Sequence, residues 1–377
     1  MSWIETTLGE SFELYQPKTI TTKDLKDDGK YFVYGANGVI GKYDQYNHED
    51  PQLLVTCRGA TCGAVNVSKP FSWINGNAMV VKPLNKEIDV KFLEYFFRGA
   101  VDLSRAITGA AQPQITRQSL SPIVFKYPPL ATQKKIVAKL DAIFAEIEKA
   151  TAAAEANAKN AEALFQSYLN QVFERGGMGW TTTLLDNVCK VDRGSSPRPI
   201  KDYFTESEDG VNWIKIGDTE EGGKYIFSTN QKITKMGAQK SRYVEVGDFI
   251  LTNSMSYGRP YIMRINGYIH DGWFVLRLNK DIDSEYFYYL LTSPYVQKQF
   301  KSLAAGSVVK NISGDLVKKT ILPIPSLSEQ KKLAELFSEK QVLLKRLTDA
   351  YLEKRNDLSL LKNSILKQAF AGELVKE

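Results

Sequence analysis

A compact basic turn, Arg193-Gly194-Ser195-Ser196-Pro197-Arg198-Pro199-Ile200-Lys201, sets cations and hydroxyls side by side. Such donors suit phosphate oxygens, and the planar fork of arginine matches the two major-groove acceptors of guanine. Comparable donors leave strand-like segments elsewhere. Lys18 follows Gln16-Pro17, Arg58 and Thr61 lie in one short loop, and Asn253, Tyr257 and Arg259 lie in another. Gln112, Gln114 and Arg117 follow Gly109, and Lys310 and Asn311 occupy the corresponding place after Gly306. Amide side chains match adenine as arginine matches guanine. Any one of these residues, taken alone, reads more often as ordinary surface. Their recurrence at matched loop positions makes the set a candidate DNA-contacting surface.

Other chemistries find no support. Gly222-Gly223-Lys224 runs into Tyr225 without the first glycine of a triphosphate-binding loop, and no strand leads into a dinucleotide-type glycine cluster. The Asn/Asp-Pro-Pro-aromatic tetrad of amino-methyltransferases is missing, and the carboxylates show no pairing suited to nuclease metals. His48 and His270 stand alone in loop-like contexts. The three cysteines fit neither a zinc site nor a disulfide framework, which predicts a reducing, cytoplasmic setting. No run approaches ~20 apolar residues, and the opening MSWIETTLGE is not read as a signal peptide. The net charge of +6 agrees with a polyanionic partner without demanding one. The chain reads as a non-catalytic binder with no cofactor or metal of its own.

The elements that would position these donors come in two copies. Trp3-x4-Leu8 recurs as Trp180-x4-Leu185, and Asn85-Lys-Glu-Ile-Asp89 as Asn279-Lys-Asp-Ile-Asp283. Gly109, Ile115 and Thr116 match Gly306, Ile312 and Ser313, and Leu130-x-x-Gln133-Lys-Lys matches Leu327-x-x-Gln330-Lys-Lys. From Gly109 to Phe173 the offset is a constant 197, whereas Trp3 and Trp180 differ by 177. The second copy is thus longer by 20 residues, all in its globular part. Apolar runs at Gln52–Thr56, Ala78–Lys82, Asp248–Thr252 and Trp273–Leu278 predict strands. One helix per half is predicted, at Val90–Phe97 and Glu285–Leu291. The fold class is α+β, with two similar globular domains, 1–129 and 177–326, and long helices at 130–176 and 327–377.

Each long helix carries a heptad seam after a proline-marked boundary. In the first the seam runs Ile136, Leu140, Ile143, Ile147, Ala150, Ala154, Asn157, Ala161, Leu164, Tyr168. In the second it runs Leu333, Phe337, Lys340, Leu344, Leu347, Tyr351, Lys354, Leu358, Leu361, Ile365. A seam that is small in the middle of one helix and large in the middle of the other predicts antiparallel pairing. That would make a rod of roughly 60 Å with a globular domain at each end and pseudo-two-fold symmetry. Pairing between two chains is the alternative. Two unlike domains on a two-fold axis fit a two-part, asymmetric site on duplex DNA.

These residues resemble the specificity subunit of type I restriction–modification enzymes over essentially the whole chain. The resemblance rests on the two Trp-x4-Leu openings, the Gly-x5-Ile-[Ser/Thr] stretches and the two Leu-x-x-Gln-Lys-Lys helix starts. The closing Phe370-x-Gly372-x-Leu374-Val375 completes it. The first helix departs from that ending with Phe173-Glu-Arg-Gly-Gly177. The resemblance implies two target recognition domains on double-stranded DNA, two methyltransferase subunits on the helices, and restriction/motor subunits added for cleavage. S-adenosylmethionine, ATP and Mg would then belong to those partners. It also implies a partner-binding role for the helix faces bearing Lys134, Lys135, Lys139, Lys331 and Lys332, which read equally as solvated. The rival readings are a specificity subunit of a fused nuclease-methyltransferase system and a coiled-coil adaptor that binds no DNA.

Overall fold

Strands whose every residue is apolar need cover on both faces, because successive side chains point to opposite sides of a sheet. Leu53–Thr56, apolar but for Thr56, is fully buried, and its environment shows how each half is built. The computed structural model describes residues 3–109, 112–220, 222–253, 258–305 and 313–375. The chain forms two compact units, residues 1–155 with 352–377, and residues 156–351.

In the first unit the chain runs through β1 (Ile4–Thr7), α1 (Leu8–Ser11), β2 (Phe12–Tyr15), β3 (Tyr31–Gly35) and β4 (Gly38–Tyr43). Then come β5 (Leu53–Thr56), β6 (Val65–Val67), β7 (Trp73–Ile74) and β8 (Ala78–Pro83). After α2 (Val90–Tyr95) and α3 (Arg117–Leu120), β9 (Val124–Tyr127) leads into the long α4 (Leu130–Arg175). The main sheet has the order β2-β8-β5-β6 and the smaller one β4-β3-β7, while β1 and β9 form an antiparallel ribbon. Leu53, Val55, Met79 and Val81 point into the core shared with the helices. Leu54, Ala78 and Val80 point the other way and meet Tyr34 and Ile74 of the smaller sheet.

The second unit repeats the plan with α5 (Leu185–Val188) after β10 (Thr181–Leu184), then β11 (Cys189–Arg193), β12 (Phe204–Thr205) and β13 (Val211–Ile214). It continues with β14 (Tyr225–Ile226), β15 (Gln231–Ile233), α6 (Lys235–Ala238), β16 (Arg242–Val244), β17 (Phe249–Thr252) and β18 (Pro260–Met263). Next are β19 (Gly267–Ile269), β20 (Trp273–Leu278), α7 (Ser284–Thr292), α8 (Pro294–Ala305), α9 (Gly314–Lys318) and β21 (Ile321–Ile324), before the long α10 (Leu327–Phe370). Its main sheet is β11-β20-β17-β18-β14 and its smaller sheet β12-β15-β13-β19-β16. The strand order β2-β8-β5-β6 is thus matched by β11-β20-β17-β18, and part of the added length lies in extra strands. The prediction of one helix per half is corrected: besides the single-turn helices α1, α3, α5, α6 and α9, the second half holds α8, a second helix of 12 residues. Proline at its first position, where no backbone donor is needed, marks the start of that helix.

Each unit contains the beginning of one long helix and the end of the other. In the first, Ile136, Leu140, Phe144 and Ile147 of α4 share a core with Leu366 and Ala369 of α10. There Phe370 lies 4.9 Å from Phe92, Glu148 pairs with Lys362 at 3.5 Å and Glu155 with Arg355 at 3.9 Å. Gly99 makes room for this helix, since a Cβ on it would lie 2.3 Å from Leu366. In the second unit Phe165, Leu169 and Phe173 of α4 pack with Phe337 of α10. Partner numbers fall along α10 as they rise along α4. The pairing is antiparallel and within one chain, as the complementary seams predict.

The seam itself needs one correction. Leu140, Ile147, Ala154 and Ala161 are buried as expected, but Leu164 is 61% exposed. The second contact line lies one residue later, at Phe144, Ala158 and Phe165, all buried, rather than at Ile143, Asn157 and Leu164. In α10 the first line holds at Phe337, Leu344, Leu358 and Ile365, and the expected Lys340 lies 4.9 Å from the Tyr168 ring of α4. Farther along, Arg355 and Lys362 reach Glu155 and Glu148 from one residue later than expected. Leu347 and Leu361 are 43% and 47% exposed. A step of three or of four after the first line gives an equally good heptad on paper. The polar residues on the true line disguised it.

The glutamine of each Leu-x-x-Gln-Lys-Lys start has a defined role. Gln133, fully buried, donates from Nε2 to the carbonyls of Glu87 and Pro128 (2.8 Å each) and accepts from Asp89 N at 2.9 Å. Gln330 repeats this with the carbonyls of Asp281 (3.1 Å) and Pro325 (3.0 Å) and with Asp283 N (2.8 Å). Asp89 and Asp283 in turn cap α2 and α7. One amide thus ties the long helix, the preceding turn and the short helix together. Replacing Gln330 with leucine should leave three backbone groups without their partner and cost roughly 2–5 kcal/mol. Urea denaturation of wild type and variant would measure it, and a loss below ~0.5 kcal/mol would contradict this role.

Candidate nucleic-acid interface

In the first unit the ends of β2 and β5 and the start of β8 lie at one edge of the main sheet, since Tyr15 pairs with Val80 and Thr56 with Ala78. The loops leaving that edge carry most of the expected donors. Lys18 is exposed on a segment fixed by Asn75, whose side chain accepts from Ile20 N at 2.9 Å and donates to Ile20 O at 3.1 Å. Asn77 O accepts from Cys57 N at 3.0 Å, so the 75–77 turn also adjoins the Arg58 loop. Arg58 forms a backbone bridge with Gln114, and Gly59 N donates to Pro113 O at 3.4 Å. Buried Ile115 anchors this second loop through its N–H to Cys57 O at 2.9 Å.

Gly109 shapes the same loop. Its φ of +85° and the proximity of Gln112 O, 2.6 Å from an added Cβ, both require glycine. Arg58, Thr61, Gln112 and Gln114 are exposed together, and Arg117 is exposed at the start of α3 just beyond. Two separate stretches of sequence thus meet as one donor-rich surface.

In the second unit the equivalent edge is formed by the ends of β11 and β17 and the start of β20, with Arg193 opposite Phe274 and Thr252 opposite Trp273. Arg193, Arg198 and Lys201 are exposed and Ser195 is half-buried. Ser195 Oγ donates to Lys240 O at 3.1 Å, and Arg242 Nε donates to Arg193 O at 3.2 Å. The basic turn therefore joins the smaller sheet, which adds exposed Lys240 and Arg242 to the cluster. Sequence reasoning missed both, although Lys240-Ser-Arg242-Tyr is a basic-aromatic run.

Asp271, also missed, lies at the centre. Its carbonyl accepts from Arg193 Nε (3.3 Å) and Asn253 Nδ2 (2.6 Å), and its carboxylate accepts from Ser196 Oγ (2.9 Å) and Arg198 Nη2 (3.3 Å). Partial burial opposes ionisation of this carboxyl. The Ser196 hydrogen bond, its own backbone, and His270 and Arg198 outweigh that and hold it below the usual carboxylate range.

Not every expected residue stands at this surface. Asn253 is buried, with its amide committed to Asp271 O, so it holds the turn in place. Arg259 faces a cleft of about 610 Å³ that Tyr288, Gln297 and Lys301 also line. Tyr257, Lys310 and Asn311 lie outside the described residues, as do Gly306 and Ile312 of the repeat. The two histidines are hydrogen-bonded: His48 Nε2 meets Tyr15 OH at 2.8 Å, and His270 Nδ1 accepts from Gly272 N at 2.8 Å. Burial pushes both imidazoles below their ordinary value. Among the described residues no group of three or more His, Cys, Asp or Glu could hold a metal ion, and no helix is long and apolar enough to cross a membrane.

Two like units each present clustered cations from one edge of the main sheet, joined by amides in the first, an arrangement whose chemistry suits duplex DNA. Residues 2–157 and 178–347 each match the type I restriction modification DNA specificity domain, and the chain belongs to that family. It is similar to the type I restriction enzyme MjaVIII specificity subunit of Methanocaldococcus jannaschii, with 22% identity over 95% of this chain and 89% of the relative. Among solved structures, one from work on complex assembly and conformational transition of the type I R-M system has a TM-score of 0.74 at 18% identity, covering 98% of both chains. The HsdS subunit of Thermoanaerobacter tengcongensis has a TM-score of 0.62 at 19% identity, covering 98% of this chain and 97% of that one. These likenesses establish the fold. The chain is a DNA specificity subunit of a type I restriction–modification system, with two recognition domains.

Proposed function

We propose that residues 1–129 and 177–326 each read one block of a two-part, asymmetric target, and that helices 130–176 and 327–377 set the gap between the blocks. The carrying observation is that loops of like chemistry leave the same sheet edge in two units whose loop sequences differ. Equivalent placement supports two readers, and unlike loops support two unlike blocks. In this reading the chain performs no chemistry. Two methyltransferase subunits and the restriction/motor subunits supply it, together with S-adenosylmethionine, ATP and Mg, in the cytoplasm.

Uncovered apolar side chains on α10 support docking of those subunits on the helices. In the second unit Leu343 is 62% exposed, and in the first Leu360 is 66% exposed. An apolar helix face left in water favours a partner that covers it. Lys134, Lys135, Lys331 and Lys332 are exposed in the first turns of the two helices and suit acidic partner groups.

Selection from a random duplex pool, using the chain with its methyltransferase partner, tests the reading. Wild type should enrich two short unlike blocks with a constant gap. The double variant Arg193→Ala/Arg198→Ala should relax only one block, by about tenfold or more per base pair lost. Relaxation of both blocks, or of neither, would contradict the assignment of one block to each domain. No enrichment by wild type would favour the adaptor reading.

A further inference from the structure

We propose that Asp271 is a positioning residue for DNA reading: its carboxylate holds Arg198 and the 194–198 turn so that the free edge of the guanidinium meets a base and not a phosphate. The inference rests on the two-block reading above and deepens it.

Asp271 lies in the turn from β19 to β20 and ties two other loops to it. Its carbonyl binds Arg193 at the end of β11 and Asn253 at the end of β17, while its carboxylate binds Ser196 and Arg198 in the basic turn. The base beneath it is well fixed. Asn253 is 2% exposed, and the ring of His270 lies 6.2 Å from both Trp213 and Trp273. Arg198, by contrast, has a side chain 82% exposed. An unrestrained arginine at a loop tip settles on the nearest phosphate, which carries no sequence information.

A carboxylate on one guanidinium nitrogen changes that preference in two ways. It offsets the charge that draws the side chain to phosphate. It also tethers the group by one nitrogen and leaves further N–H donors for a two-point contact with guanine. The remaining cations of the cluster, Lys201, Lys240 and Arg242, are exposed and suited to the phosphates alongside.

The test compares Asp271→Asn, Asp271→Glu and Ser196→Ala with wild type, using the full chain assembled with its partner subunits. A randomised duplex pool and one non-specific duplex serve as probes. Asp271→Asn should lose about tenfold of its preference at one or two adjacent base pairs of one block. The other block should be unchanged. Affinity for the non-specific duplex should hold or rise, because a negative charge facing a polyanion has gone. Asp271→Glu should recover part of the preference, and Ser196→Ala should lose a smaller part at the same positions.

Two results would overturn the proposal. One is a preference retained within about twofold by both Asp271→Asn and Ser196→Ala. The other is a parallel fall in specific and non-specific affinity, which a merely structural residue would produce. Failure of wild type itself to enrich two blocks would instead sink the underlying reading.

Discussion

Replacement of Phe337 by alanine should lower the stability of the second unit by about 3–5 kcal/mol, the cost of truncating a fully buried aromatic ring. Phe337 has no exposed surface and stands among Tyr168 at 6.0 Å, Phe173 at 5.5 Å and Tyr289 at 5.4 Å. It is the residue through which the start of α10, the end of α4 and α7 share one core. The cavity would therefore loosen the recognition domain together with its helical support. Leu140→Ala at the equivalent repeat position, also fully buried, should cost about 3 kcal/mol in the first unit. Denaturant unfolding followed by tryptophan fluorescence would report each loss. Phe337→Ala at less than ~1 kcal/mol would mean that the helix junction is not the keystone of that unit.

A paired deletion in the helices should move the two blocks of the target without changing their sequences. Removing Ala152–Glu155 from α4 and Arg355–Leu358 from α10 takes about one turn, ~6 Å, from each. The ion pair Glu155–Arg355 shows that these segments oppose each other, so both sides shorten together. Four residues add a modest change of phase that coiled coils tolerate as a local change of winding. The preferred gap should shorten by roughly one or two base pairs. An altered block with an unaltered gap would contradict the idea that helix length sets the spacing.

Much of this fold could be read before any coordinates, because it is written twice. Both strands of each central pair were visible as apolar runs, and Trp273–Leu278 matches its predicted bounds. The long helices begin at Leu130 and Leu327, where the Leu-x-x-Gln-Lys-Lys repeats begin. What escaped had a physical cause in each case. On α10 the second seam line was misplaced toward its end because Arg355 and Lys362 meet α4 through ion pairs, whereas exposed Leu347 and Leu361 imitate a core. Helix α8 was overlooked although Ser293-Pro294 announces it.

The candidate interface was legible in its loops and not in its joins. The bridge between Arg58 and Gln114 spans 56 positions and depends on sheet geometry that no local pattern encodes. Asp271 lies 73 positions from Arg198, and a lone aspartate after a histidine gives no sign of holding an arginine turn. Arg259 shows the opposite error. It shares a loop with Asn253, yet its side chain faces the cleft beside Tyr288 because the chain turns there into β18.

Mapping methylated positions genome-wide, in cells with and without this chain, addresses the whole account at once. The expected result is one methylated motif of two unlike blocks at a constant gap, present with the chain and absent without it. Methylation that persists in its absence, or that follows a single continuous block, would contradict two readers held apart by paired helices.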